Sequence, residues 1–182
     1  AVIQVAVFLM FRAISFLAIL IPVFASAQTV ITFPDPNLEA TVRERISKPT
    51  GDILDTDVQS LTSFSASNKG ITNLSGMEHF SALSNVVLRS NAIVDLSPLS
   101  GLTSLTQLIV ASNSIVDVSP ISGLINMRYL DTSRNAITDF TPLSGMTSVT
   151  HLNVSRNSVG NLGFVSGMSD LVRLDADGCQ LT

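Results

Sequence analysis

Few side chains in this 182-residue chain are of types that could move protons or hold a metal. His79 and His151 are the two histidines. They are far apart in the sequence, and neither belongs to an H-E-x-x-H pair. No G-x-S-x-G elbow is present to present a serine nucleophile, and no glycine-rich loop to cradle a phosphate. Two aspartate groups, Asp52-Asp55-Asp57 and Asp175-Asp177-Gly178, hint at calcium ligation. Each lacks the full alternating oxygen set with its closing Glu. Cys179 is the one cysteine, which excludes an intrachain disulfide framework and a cysteine metal cluster. The expectation is no catalytic residue, no metal and no cofactor. The remaining chemistry is recognition, which depends on how outward side chains are arrayed.

Charge narrows the partners. Ten Lys and Arg stand against fourteen Asp and Glu, a formal net charge of −4. Nucleic-acid binding needs a basic footprint, so nucleic acid is not an expected partner. The 46% hydrophobic content is concentrated at the start of the chain. Residues 1–27 read as a secretory leader. Met10-Phe11-Arg12 gives a basic start, Ala13 to Val23 an apolar stretch too short to span a bilayer, and Ala25-Ser26-Ala27 a cleavage site. Met10 is then the expected true start and Gln28 the mature N-terminus. The folded part is expected to be secreted or held at the cell surface. Membrane association would come only through the leader or through an anchor beyond the chain.

The elements that position any binding residues emerge from a repeat. Counted from Leu74, the sequence divides into blocks of 22 without insertion: 74–95, 96–117, 118–139, 140–161 and a final block from 162. Apolar columns recur at fixed block positions. The thirteenth, for example, holds Val86, Leu108, Leu130, Leu152 and Leu174. The eighteenth reads Asn91, Asn113, Asn135, Asn157 and then Cys179. A period of 20–50 residues means a solenoid, because one unit cannot bury its own apolar face but stacked units can. The run at positions twelve to sixteen alternates inward and outward as a strand does. Leu108 and Val110 should point in, and Gln107, Ile109 and Ala111 out. The S-P-L-S-G-L segment, with prolines at 98, 120 and 142, suits turns and short 3₁₀ pieces. The asparagine column suits the sharp bend after each strand, since a side-chain amide can both donate to and accept from stranded peptide groups.

These features resemble the leucine-rich repeat family. Its motif, L-x-x-L-x-[LV]-x-x-N-x-[IV], stands at Leu105 to Ile115 and again over Leu152 to Val159. The period and the S-P-L-S-G-L segment are similar to the bacterial, internalin-like subfamily. The resemblance implies an α/β leucine-rich repeat solenoid. A parallel β-sheet would line its concave side, turns, 3₁₀ or short helices its convex side, and a helical cap its N-terminus. It implies that the asparagines bridge backbone groups of adjacent coils, with Cys179 filling the same structural slot. It also implies a protein ligand met on the concave sheet.

Residues 28–60 are expected to form the cap and 61–182 the repeats, with the C-terminal end incomplete. Asp35-Pro36 should start a helix bearing Leu38, Val42 and Ile46 on one face. A second short helix is expected from about Thr56 to Leu61. On the concave face, Val87, Ile109 and Ala111 should make an exposed apolar spot. Tyr129, Asp131, His151, Asn153, Arg134 and Arg156 should make an adjoining polar patch, with Arg173 beside it in the next coil. These are the candidate ligand-binding residues. A monomer that binds a protein partner is expected, with a structural spacer or the targeting segment of a larger secreted protein or enzyme as the alternative.

Overall fold

The computed structural model describes residues 28–180. Residues 1–27, where the leader is expected, and Leu181 and Thr182 lie outside these residues. Among the described residues, eight short strands, two α-helices and five 3₁₀ turns follow one another in chain order.

The N-terminal segment packs as a small cap. Strands β1 (Val30–Ile31) and β2 (Ile53–Leu54) pair antiparallel. Between them runs α1 (Pro36–Ile46). Its N-cap is Asp35, whose Oδ1 accepts the N–H groups of Asn37 and Leu38 at 2.9 and 3.0 Å. Pro36 at the first helical position has no N–H to leave unpaired. Leu38 and Val42 are fully buried, whereas Ile46 is half-buried at the helix end. The helix stops at Ser47, whose φ of 55° is left-handed. The second helix, α2, spans Asp55–Val58 rather than 56–61. Asp57 caps it early by accepting the Leu54 N–H at 2.8 Å while ion-pairing with Lys48 at 2.6 Å.

Strands β3 (Ser63–Ser65), β4 (Asn85–Val87), β5 (Gln107–Ile109), β6 (Tyr129–Asp131), β7 (His151–Asn153) and β8 (Arg173–Asp175) form one parallel sheet in sequence order. The register advances by one repeat per strand: Ser63 faces Asn85, then Gln107, Tyr129, His151 and Arg173. The expected leucine-rich repeat solenoid is therefore what the chain forms. Each strand occupies positions twelve to fourteen only, shorter than the expected twelve to sixteen. Beyond it, the residue at position seventeen takes a left-handed φ near 57°, as at Ser90, Ser112, Arg134 and Arg156. That bend ends the ladder.

The return path is made of 3₁₀ turns at Met77–His79, Ser97–Leu99, Ser119–Ile121, Thr141–Gly145 and Gly163–Gly167. A further column, position twenty-two, starts them. The side chains of Asn73, Asp95, Asp117, Asp139 and Asn161 each accept the N–H two residues on, at 2.8–2.9 Å. Such local bonds are why Asp and Asn favour turns over regular elements.

The core is one continuous column of aliphatic side chains running through all coils. Val86, Leu108, Leu130 and Leu152 are buried, and Leu174 in the last coil only partly so. Each fully buried aliphatic contributes roughly 1.5–3 kcal/mol through area removed from water. At the cap end, the Phe33 ring meets Phe80 edge-on at 6.3 Å, and Phe80 meets Phe64 at 5.8 Å.

The asparagine column joins coil to coil. Asn135 Nδ2 donates to the carbonyls of Thr132 in its own coil and Val110 in the preceding one, at 2.8 and 3.0 Å. Its Oδ1 accepts the Ile115 N–H, also in the preceding coil, at 3.0 Å. Asn113 and Asn157 repeat the pattern one coil either side. Asn91 takes two N–H groups, from Lys69 and Ile71, and donates to Ala66 and Leu88. At the same position, the thiol of Cys179 lies 3.3 Å from the Val154 carbonyl. It keeps one of the bridging bonds and has no oxygen with which to accept the other.

Candidate functional site

The strands that build the sheet also set the spacing of its outward side chains. Positions twelve and fourteen project from the concave face, one pair per coil, with neighbours about 4.8 Å apart. In the first coils these positions hold short or neutral side chains: Ser63, Ser65, Asn85, Val87, Gln107 and Ile109. From β6 onward they change to Tyr129, Asp131, His151, Asn153, Arg173 and Asp175.

This second group encloses a depression of about 250 Å³ on the sheet, which Arg89 also lines. The Tyr129 and His151 rings stack along one side, with centroids 6.0 Å apart and planes inclined by 24°. The Thr150 hydroxyl lies 3.0 Å from His151 Nδ1. Asp131 forms part of the floor. Although it occupies an outward position, it is 4% exposed. Its Oδ1 accepts the Ser133 N–H at 3.0 Å, and Arg89 reaches across two coils to place Nη2 3.6 Å from Oδ2. Asn153 makes the same local bond, its Oδ1 accepting the Ser155 N–H at 3.0 Å. In the last coil, Arg173 Nε donates to both Asp175 oxygens at 3.1 and 2.9 Å. That hydrogen bond and the Asp175 charge raise the guanidinium pKa above its ordinary value, so Arg173 carries its positive charge at all physiological pH.

Several expected site residues fall elsewhere. Arg134 and Arg156 are exposed on the bends after β6 and β7, and neither lines the depression. Val87 and Ile109 are half-buried on the sheet next to it. Ala111 was expected in an exposed apolar spot but is fully buried. It lies beyond the end of β5 at Ile109 and next to the left-handed bend at Ser112, so the strand alternation that would turn it outward does not reach it. Arg89 and Asp175, in contrast, are pocket residues that the candidate patch omitted. Both stand in outward columns, so their direction was legible. Arg89's reach over two coils was not.

Nothing in this arrangement forms a nucleophile with its base. Among the described residues there is no group of three or more His, Cys, Asp and Glu able to hold a metal ion. Nor is any described helix long and apolar enough to cross a membrane. The site offers charged, amide and aromatic surface on a rigid sheet.

Comparison with known proteins follows the same outline. The family of leucine-rich repeats (two copies) matches residues 103–145. A sequence search of the curated proteins finds no match. Among solved structures, an internalin (inlF) of Listeria monocytogenes is 28% identical, with a TM-score of 0.80. The match covers 82% of this chain but 45% of that one, so the chain spans less than half of that relative. Internalin C2 of the same organism is 30% identical with a TM-score of 0.64, over 82% of this chain and 77% of that one. A leucine-rich repeat protein of Leptospira interrogans, 18% identical with a TM-score of 0.65 over 69% of this chain and 33% of that one, shares the fold. With its unbroken 22-residue register, asparagine ladder and helical cap, the chain belongs to the bacterial, internalin-like family of leucine-rich repeat proteins.

Proposed function

We propose that this chain is the ligand-binding module of an exported bacterial protein, and that it docks a protein partner on its concave sheet. The observation that carries the reading is the change of composition along the outward columns. Serine and neutral residues fill the first coils, and a charged, aromatic cluster fills the coils of β6 to β8. Interface cores favour Tyr and Arg beside apolar anchors, here Val87 and Ile109. A stacked sheet is already ordered, so little conformational entropy is lost on binding. The leader-like residues 1–27 support export, and the resemblance to internalins supports surface display or secretion.

Site-specific photo-crosslinking tests this reading. A benzophenone side chain is placed at Tyr129 on the concave face, or at Ile125, which is 60% exposed outside the sheet. Each protein is presented to intact surface proteins of candidate target cells. Adducts to one partner from position 129 and none from 125 are expected. Adducts from 125 alone, or equal labelling from both, would mean that the sheet is a spacer surface rather than a docking face.

A further inference from the structure

We infer that the concave depression recognises an acidic segment of the partner protein, one that carries two carboxylates about 10 Å apart. The inference rests on the concave docking proposed above and adds the chemistry of what docks.

Charge is segregated around each coil. From residue 74 onward the chain contains no lysine and five arginines: Arg89, Arg128, Arg134, Arg156 and Arg173. All five fall at block positions eleven to seventeen, on the strands or the bends beside them. Most of the acidic residues in the same stretch fall elsewhere. Asp95, Asp117 and Asp139 stand at the starts of the convex turns, and Glu78 and Asp170 also lie off the sheet. The arginines are thus confined to the strand side of the coils, where Asp131, Asp175 and Asp177 accompany them, so a negatively charged partner is favoured in the depression by the exposure of its arginines and not by net charge.

Burial sharpens the point within the depression. Its two carboxylates are already engaged. Asp131 is sunk in the floor beneath Arg89, and Asp175 is held by Arg173. The arginines are the exposed members of both pairs, with side chains 55% and 66% accessible against 5% and 35% for the aspartates. Arg173 spends only Nε on Asp175, and Arg89 meets Asp131 through one Nη. A guanidinium has five N–H donors in a planar fork, so both retain donors facing solvent. Between them lies Asn153, whose Oδ1 is occupied by Ser155 and whose amide nitrogen makes no bond within the described residues. The most exposed polar groups of the row are therefore donors, with the partly covered Asp175 carboxylate beside them.

Its spacing is set by the sheet. Asp131 and Asp175 stand two coils apart, and each positions the guanidinium paired with it. Two inter-strand steps are about 10 Å. A segment in the polyproline II conformation has three residues per turn and advances roughly 3.1 Å per residue, so Asp or Glu residues three apart lie on one face about 9 Å apart and match the two arginines. Guanidinium and carboxylate pair side by side through parallel hydrogen bonds. The Tyr129–His151 ring pair gives the aliphatic part of the segment a flat surface on which to lie.

The test uses the full chain with isotope-labelled arginine side chains and three blocked peptides. One is Gly-Glu-Ser-Ala-Glu-Gly. The second replaces both Glu with Lys. The third moves the two Glu together. Nε–Hε shifts at Arg89 and Arg173, larger than at Arg134 and Arg156, are expected with the first peptide. The second should cause none, and the third should bind about tenfold more weakly. Arg173→Gln should weaken the first peptide by about tenfold or more. Arg89→Lys keeps the charge over Asp131 and guards against loss of folding, and it should weaken binding less. No response to the first peptide, an equal response to the lysine peptide, or binding of a sulfated oligosaccharide in place of the peptide overturns the inference. Crosslinking from position 129 to a protein partner, combined with failure of the acidic peptide, would leave the docking face intact and remove only its proposed acidic specificity.

Discussion

Replacing Asn135 with Ala tests the bridge on which the solenoid depends. The amide of Asn135 serves four main-chain groups at once: the Ile115 N–H and the carbonyls of Val110, Thr132 and, at 3.3 Å, Ser133. Two of the four belong to the preceding coil. Alanine leaves all four without that partner. A buried polar group left unsatisfied costs about 1–3 kcal/mol. Asn135 itself is only half-buried, so water can rescue a carbonyl at the surface, and the Ile115 N–H carries most of the loss. A destabilisation of about 2–4 kcal/mol follows from one full penalty and part of a second. The assay is urea unfolding followed by circular dichroism, with the exposed Thr138→Ala as the surface reference. The midpoint should fall with the slope unchanged, because the fold and its exposed area on unfolding are the same. Hydrogen exchange adds a position-specific readout. The Ile115 amide, twenty residues from the substitution, should lose protection while the Leu130 amide in β6 keeps its own. A midpoint equal to that of Thr138→Ala, or unaltered protection at Ile115, would refute the bridging role.

Two further outcomes follow from the cap. Asp35 receives the Asn37 and Leu38 N–H groups on one oxygen, and the Thr72 and Asn73 N–H groups and the Thr72 hydroxyl on the other. Burial pushes its pKa up, but the hydrogen bonds from Thr72, Leu38 and Asn73 outweigh burial and hold it below the ordinary carboxylate value. Stability from this lowered pKa is present above the unfolded-state value near 3.9, and is lost as pH falls through the lower folded value. Asp35→Ala should cost about 2–4 kcal/mol at pH 7, a lost helix cap plus unpaired N–H groups. Its unfolding midpoint should also depend less on pH below 4 than that of the parent; equal slopes would sink the assignment. Gly76 has a φ of 100°, and a Cβ there would lie 2.6 Å from the Phe33 ring and 3.1 Å from the Thr32 carbonyl. Gly76→Ala should lower the melting temperature by several degrees and loosen the cap, seen as faster proteolysis near Phe33. An unchanged melting temperature would show that the cap does not press on the first coil.

Much of this architecture was legible in the residues themselves, for a covalent reason. A constant spacing of 22 forces each inward side chain to stack on its counterpart in the next coil, so Val86, Leu108, Leu130 and Leu152 share one column without any long-range choice. The strand register follows from the same count. The asparagine and turn-starting aspartate columns act on groups placed by that register, so their roles travel with the period. Exposure obeys a different rule. A side chain's direction depends on its own backbone, but its access to water depends on neighbours one or two coils away. Ala111, expected outward, is buried because it lies past the end of β5, beside the bend at Ser112. Asp131 stands in an outward column and is nevertheless buried, with Arg89 reaching across two coils to its carboxylate. Arg134 and Arg156, though in the right coils, are carried away from the pocket by left-handed bends. The period alone thus determined the scaffold and the candidate face, whereas the depression between Arg89 and Arg173 was decided by packing between coils.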